Sequence, residues 1–220
     1  MTFLVIANFK SNKTTPEVQS WLQEIGEVAA STPSLEIVVA PSFPHLLLAI
    51  SHKPLTFCAQ DVSSFPPGSY TGAVNATQLK ELGVKYVIIG HSERRRYFHE
   101  SHQEIANKAQ ELVSVGLTPV LCLDKGDISG QFAALEVDKA KLVFAYEPAG
   151  DIGGTATAPI EDIKAVISDI RQLVGGARVL YGGSVNAENV AQLKGVADGT
   201  LVASASLNPN SFISLIDAAK

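Results

Sequence analysis

The chain has 220 residues, 46% of them apolar and 18% charged, with Lys+Arg 17 against Asp+Glu 22 for a formal net charge of −5. That length fits one domain, or at most two, with a sizeable core, and the mildly acidic balance argues against a general nucleic-acid binder while leaving room for a small basic pocket around an anionic metabolite. No apolar run approaches the ~20 residues of a membrane span, and Met1-Thr2 enters an apolar run directly with no basic leader, so a cytoplasmic protein without membrane or nucleic-acid partners is expected.

Strand-like and helix-like stretches then alternate along the chain. Phe3–Phe9 reads as a buried strand ending at Lys10. Pro16–Ala30 has helical spacing, with Thr15-Pro16 as cap and first position. Glu36–Ala40 is a second strand, Pro44–Ser51 a second amphipathic stretch, and Leu55–Gln60 a third strand containing Cys58. The Pro- and Gly-rich excursion Ser63–Thr71 (SSFPPGSYT) follows, and is expected to project as an arm onto a partner. Ala76–Leu82 is helical and stops at Gly83. Tyr86–Gly90 is a strand running into His91 and a short polar helix. His102–Val115 is helical up to Gly116, Thr118–Leu123 is a strand containing Cys122, and Ile128–Lys139 is a weaker helix. Leu142–Tyr146 is a strand ending in Glu147-Pro148, and Pro159–Val174 is helical. Arg178–Tyr181 runs into Gly182-Gly183-Ser184; Ala187–Leu193 is a helix entered through Asn186; Gly199–Val202 and Asn210–Ala219 are the last strand and helix.

Strands alternating with helices argue for parallel βαβ units, and about eight such units close into a (β/α)8 barrel. An open doubly wound sheet is the competing architecture. It announces itself with G-x-G-x-x-G after the first strand, where this chain has Asn8-Phe9-Lys10. The expectation is an α/β protein with one barrel domain over residues 1–220. Cys58 and Cys122, both in apolar strands and outside any C-x-x-C, are expected as buried free thiols.

In a parallel barrel the C-terminal strand ends meet at one rim. Four tips there carry chemistry. Lys10 closes an otherwise apolar strand, and its ammonium would attract an anion and stabilise charge developing on a carbonyl oxygen. His91 follows a buried strand at a helix N-terminus, where the backbone dipole disfavours imidazolium. Glu147 at the end of LVFAYEP is placed to abstract a proton, and burial would raise its basicity. Gly182-Gly183-Ser184 lets backbone N–H groups converge on an anion, with Val202–Ser206 completing the cradle. Gly150–Thr157, small and flexible beside the carboxylate, suggests a lid. Each feature has a plainer reading: a solvated lysine, a capping histidine, a strand-end salt bridge, an ordinary loop.

Together these segments resemble the triosephosphate isomerase family. The matching pieces are Asn8–Lys10 (NFK), Gly90–Arg95 (GHSERR), Ala145–Pro148 (AYEP), Tyr181–Asn186 (YGGSVN) and Asp198–Leu207 (DGTLVASASL), in the family's order over essentially the whole chain. The resemblance implies a TIM barrel that interconverts dihydroxyacetone phosphate and D-glyceraldehyde 3-phosphate in glycolysis and gluconeogenesis, with no metal or organic cofactor. It implies Glu147 as the base, His91 as the group that polarises the carbonyl, Lys10 as the positive charge and Asn8 as its orienter. A Glu base with a neutral His is the established pairing for this family and is carried over with the resemblance. Gly153, Ser184, Ala203 and Ser204 fall where the family holds the phosphate. Ile152 and Leu201 match an apolar clamp around the base. Thr71 matches the residue that enters the neighbouring subunit's site, and Glu93 belongs to the supporting shell. A homodimer is implied, with a tetramer as the alternative for so short a chain.

The chain departs from the family pattern in four places. Glu147 is followed by Pro-Ala-Gly-Asp-Ile-Gly-Gly, without the family's Trp and shorter by one or two residues. Leu-Asp-Lys-Gly follows Cys122, where the family has a Glu contacting that Trp. Ala203-Ser204 replaces a glycine pair, which is compatible with phosphate binding if neither residue needs a positive φ. Ala73 replaces a Glu that pairs with the position of Arg94, so that ion pair is expected to be absent. A barrel enzyme acting on a larger sugar phosphate, and a non-catalytic metabolite-binding barrel, are the readings that compete.

Overall fold

The computed structural model describes residues 2–51, 55–148 and 157–220. Eight parallel strands close into a barrel in chain order: β1 (Phe3–Asn8), β2 (Leu35–Ala40), β3 (Thr56–Ala59), β4 (Tyr86–Ile89), β5 (Thr118–Leu123), β6 (Val143–Tyr146), β7 (Arg178–Tyr181) and β8 (Gly199–Val202). The ring is sealed by β1 against β8, with Leu4 opposite Gly199 and Ala7 opposite Val202. The fold is the expected (β/α)8 TIM barrel.

The strands are apolar on both faces because both faces are covered. Leu4 and Ile6 belong to an inner cluster with Val38, Ile88, Val120, Val143 and Leu201. Val5 and Ala7, their alternates, join the outer cluster beneath the helices. The helices are α1 (Thr15–Ala30), α2 (Phe43–Ala49), α3 (Ala76–Glu81), α4 (Ser92–Tyr97), α5 (His102–Ser114), α6 (Ile128–Ala134), α7 (Ile160–Leu173), α8 (Ser204–Leu207) and α9 (Pro209–Ala219). Trp21 of α1 is the largest buried anchor of that shell. Its ring meets Phe9 edge-on at 4.8 Å, and its Nε1–H donates to the Ser206 carbonyl at 2.8 Å, fixing α1 against the ends of β1 and β8.

Two expected helices are shorter than their patterns. Ala187–Leu193 forms only a 3₁₀ turn at Val190–Leu193. Asn186 and Asn189 cap its start: the Asn186 Oδ1 accepts the Glu188 and Asn189 N–H groups at 2.9 and 3.2 Å, and Asn189 Oδ1 accepts the Asn186 N–H at 2.9 Å. These are the bonds of a helix start, since the first-turn N–H groups have no partner within a helix, and the Val190 N–H reaches the Asn186 carbonyl at 3.1 Å. The helix begun at Ile128 ends at Ala134, and Asp138 caps a separate 3₁₀ turn, Lys139–Lys141, by accepting the Ala140 N–H at 3.0 Å. The cap of α1 is Thr14, with the Glu17 carboxylate accepting its N–H at 2.7 Å and its hydroxyl at 2.6 Å.

The N-terminal end of the barrel is closed by ion pairs. Glu36 Oε1 accepts from Lys85 Nζ at 2.6 Å and Tyr86 Oη at 2.7 Å, while its Oε2 accepts from Arg178 Nη1 at 2.9 Å. Arg178 Nη2 also donates to the Tyr86 hydroxyl at 2.6 Å. Burial opposes ionisation of Glu36, but the bonds from Lys85, Arg178 and Tyr86 outweigh it and hold the carboxyl at about 2. A depressed carboxyl pKa stabilises the fold above the ordinary carboxylate range, and that contribution is lost as pH falls from about 4.5 towards 2. Glu36→Gln is expected to lower stability at pH 7 by roughly 1–2 kcal/mol, with partial exposure moderating the loss. Denaturant titrations between pH 7 and 2 should show a weaker acid dependence in the variant; parallel curves would rule this account out.

Candidate active site

The C-terminal rim is built from the ends of all eight strands. Lys10, two residues past β1, has φ of +50°, the left-handed region that side-chain-bearing residues rarely occupy. Its N–H donates to Asn8 Oδ1 at 3.0 Å, and its Nζ donates to Glu93 Oε1 at 2.6 Å. Past β3, the Gln60 amide donates to two carbonyls, Lys10 at 2.9 Å and Ala40 at 2.8 Å.

Gly90, with φ of +64°, makes the turn that carries the chain out of β4 into α4. His91 is the N-cap of α4, and the Glu93 N–H donates to its Nδ1 at 3.2 Å. A ring nitrogen that accepts an N–H holds a lone pair, which leaves the ring proton of the neutral tautomer on Nε2. That Nε2 lies 3.1 Å from Glu147 Oε1 and donates to it. The other carboxylate oxygen accepts the Ser92 N–H at 3.1 Å. Glu147 is only 2% exposed, and its own N–H donates to Leu123 at 2.8 Å, extending the β5–β6 ladder by one residue. Glu93 Oε2 lies 3.7 Å from His91 Nδ1. Lys10, Glu93, His91 and Glu147 therefore form one continuous chain of polar contacts drawn from three strand ends.

Asn8, Lys10, His91 and Glu93 line a cleft of about 300 Å³. Glu147 sits behind the imidazole. Gly182 makes its position possible, because a Cβ there would lie 2.9 Å from Glu147 Cγ. Cys122 is fully buried beside the same carboxylate; burial first, and then the neighbouring charge, push its thiol pKa well up. Burial does the same to Cys58.

Arg95 holds α4 in place. Its Nε donates to the Gly90 carbonyl at 2.8 Å and its Nη2 to Cys122 and Gln131 oxygens at 3.2 and 3.0 Å. Arg94 is paired despite Ala73, with Asp61 at 2.9 Å and Glu100 at 2.5 Å. Lys108 binds the same two carboxylates at 2.6 and 2.5 Å. Burial raises the Asp61 pKa, against the pull of Lys108 and Arg94. The charge expected to be lost at position 73 is thus supplied from elsewhere.

Ser184, Ala203 and Ser204 lie at the ends of β7 and β8. The Ser184 carbonyl accepts from Thr157 Oγ1 at 2.8 Å and Asn189 Nδ2 at 2.9 Å. Ala203 has φ of −97°, and Ser204 opens α8 outside the left-handed region, so neither residue needs a positive φ. Leu201 is buried in the inner barrel cluster. Thr71 is exposed on the loop between β3 and α3. Ile152, Gly153 and the expected lid up to residue 156 lie outside the described residues. Among the described residues, no three His, Cys, Asp or Glu side chains group as a metal site would require.

Gln60 and Cys122 escape a reading of motifs, as does the room that Gly182, named above for the anion cradle, leaves for Glu147. Cys122 was recognisable as buried, and strand alternation from Val120 places it on the inner face. Gln60 ends a strand as Lys10 and Glu147 do, but a neutral amide gives no charge signal.

A closed parallel barrel with an ammonium, an imidazole and a buried carboxylate at its C-terminal rim defines a barrel enzyme equipped for proton transfer. A family model described as triosephosphate isomerase matches residues 3–219. The triosephosphate isomerase of Thermus thermophilus is 37% identical, covering 97% of each chain. That of Mesomycoplasma hyopneumoniae is 36% identical, covering 96% of this chain and 97% of its own. That of Deinococcus radiodurans is 36% identical, covering 99% of both. The chain belongs to the triosephosphate isomerase family and is an isomerase.

With Glu147 as the expected base, Gly182→Ala is expected to displace its carboxylate and lower kcat by about tenfold or more, with little change in KM, because small misplacements weigh heavily on rate. Steady-state kinetics on a variant whose circular dichroism matches the parent would test this; an unchanged kcat would show that Glu147 has room to move.

Proposed function

We propose that this chain, as a single barrel unit over residues 1–220, interconverts dihydroxyacetone phosphate and D-glyceraldehyde 3-phosphate in glycolysis and gluconeogenesis. The observation that carries the reading is the Nε2–H of His91 aimed at Glu147, with Nδ1 held as an acceptor by the Glu93 N–H. When substrate enters, the carboxylate of Glu147 takes the proton from the carbon next to the carbonyl. The Nε2–H of His91 turns to the carbonyl oxygen, stabilises the enediolate and passes protons between the two oxygens. Glu147 then returns its proton to the neighbouring carbon. Lys10 offsets the negative charge, held by Asn8 at its N–H and by Glu93 at its ammonium. No metal or organic cofactor enters this chemistry.

Ser184, Ala203 and Ser204 are proposed to hold the phosphate through backbone N–H groups, with Gly153 as a fourth contributor. Ile152 and Leu201 are proposed to enclose the base and exclude water on closure. No described helix is long and apolar enough to cross a membrane. A cytoplasmic location fits the metabolic role.

The chain is proposed to work as a homodimer. The loop from Ser63 to Val74 is closed at its neck by the Ser63 N–H on the Val74 carbonyl at 2.8 Å and carries stacked, exposed Phe65 and Tyr70 rings 4.6 Å apart. Phe43 and Phe98 are exposed beside the cleft that holds Lys10. A second copy's loop, with Thr71 near its tip, would cover those rings.

A coupled assay with D-glyceraldehyde 3-phosphate should show robust turnover, reduced about 10³-fold or more in Glu147→Gln. Turnover restricted to longer sugar phosphates, or tight binding of an enediolate mimic without turnover, would overturn the assignment. Sedimentation should give twice the 23.3 kDa chain mass, and Tyr70→Lys should shift the protein to monomer; a monomeric or tetrameric parent would refute the dimer.

A further inference from the structure

Lys10 poses a mechanical problem. At φ of +50° its backbone occupies a region costly for a residue with a Cβ, and such conformations persist only where the surroundings impose them. The restraint must act on the two peptide groups flanking the Cα. The preceding peptide is held by its N–H on Asn8 Oδ1 at 3.0 Å. The following peptide is held by Gln60, whose Nε2 donates to the Lys10 carbonyl at 2.9 Å. The second proton of the same amide donates to the Ala40 carbonyl at 2.8 Å. Ala40 also accepts the Phe9 N–H at 3.2 Å.

One carboxamide therefore braces three strand ends. It stands at the end of β3, is fixed to the end of β2, and reaches across to the backbone of the cationic residue past β1. Both partners are carbonyl oxygens, so the orientation of the amide is set by chemistry: only its NH2 group fits there. Relaxation of Lys10 to a negative φ would have to rotate one of the two flanking peptides and break one of these bonds. It would also redirect the Cα–Cβ bond, and with it the ammonium now 2.6 Å from Glu93.

We propose that Gln60 is a positioning residue for the isomerisation: its amide locks the left-handed backbone of Lys10 and thereby aims the ammonium at the substrate. The proposal rests on the assignment of Lys10 as the site's cation. Gln60 contributes no proton and no charge, and it acts only through Lys10.

The test is a double-mutant cycle. Gln60→Met keeps the length and removes both donors, and Lys10→Met removes the ammonium. The cycle is read in kcat/KM for D-glyceraldehyde 3-phosphate. It is read in parallel in the calorimetric affinity for a two-carbon phosphorylated carboxylate that mimics the enediolate. In the parent background, Gln60→Met should lower both quantities about tenfold or more. In the Lys10→Met background it should change them less than about twofold. Equal losses in both backgrounds, or no loss in the parent, would overturn the proposal. Gln60→Glu, which keeps the shape and sets an anion against two carbonyls, should reproduce the effect if the methionine variant is poorly folded. A readout independent of turnover is the Lys10 backbone itself. Its NMR shifts or a crystal structure of either Gln60 variant should show φ returned to negative values, and a retained φ near the parent value would sink the idea. A parent without triose phosphate turnover would defeat the isomerase assignment, while the backbone measurement would still decide whether Gln60 holds Lys10.

Discussion

The hydrogen bond from the Glu93 N–H to His91 Nδ1 governs what the rim can do. It consumes the lone pair facing the protein and leaves the Nε2 proton facing Glu147. A cationic ring in its place would have no acceptor for the Glu93 N–H and would present two protons. The bond exists because His91 caps α4, so its ring folds back onto the first turn of its own helix. Gly90 allows the sharp exit from β4, and Arg95 ties that exit to the ends of β4 and β5. A local capping arrangement, built from one turn of chain, thus sets the proton inventory of the whole site.

The barrel separates its charges by end. At the N-terminal end, Glu36, Lys85, Tyr86 and Arg178 satisfy one another and serve stability. At the C-terminal end, Lys10 and His91 are paired within the site but face a cleft. Between the two ends the inner strand faces are apolar, so neither network reaches the other. This division follows from parallel strands, which place every C-terminal tip on the same side.

Most of the architecture was legible in the sequence because barrel strands are buried on both faces and therefore read as continuous apolar runs. Thr118–Leu123, Arg178–Tyr181 and Gly199–Val202 match the strands residue for residue. Lys10, His91 and Glu147 stood out because a charged or titratable group ending such a run is unusual. What could not be read depends on contacts between distant segments. Ala73 signals only that no carboxylate at that position pairs with Arg94; that Asp61 and Glu100 bring two from other loops could not be read. The left-handed backbone of Lys10 is equally silent, since no local preference of lysine points to it and the restraint comes from Gln60, fifty residues away. Ala187–Leu193 has helical spacing and a capped start at Asn186, yet forms only the 3₁₀ turn Val190–Leu193.

The two thiols carry a chemical consequence of their own. Oxidants and alkylating agents attack the thiolate, and access and acidity together decide which cysteine is vulnerable. Cys58 and Cys122 are sealed in the barrel interior, where burial pushes both thiol pKa values up, helped in the second by the carboxylate it adjoins. Burial of both sulfurs is expected to slow their reaction with peroxide and disulfides while the barrel is folded. Chemical labelling of either sulfur would accordingly report on opening of the barrel, a built-in gauge of its unfolding.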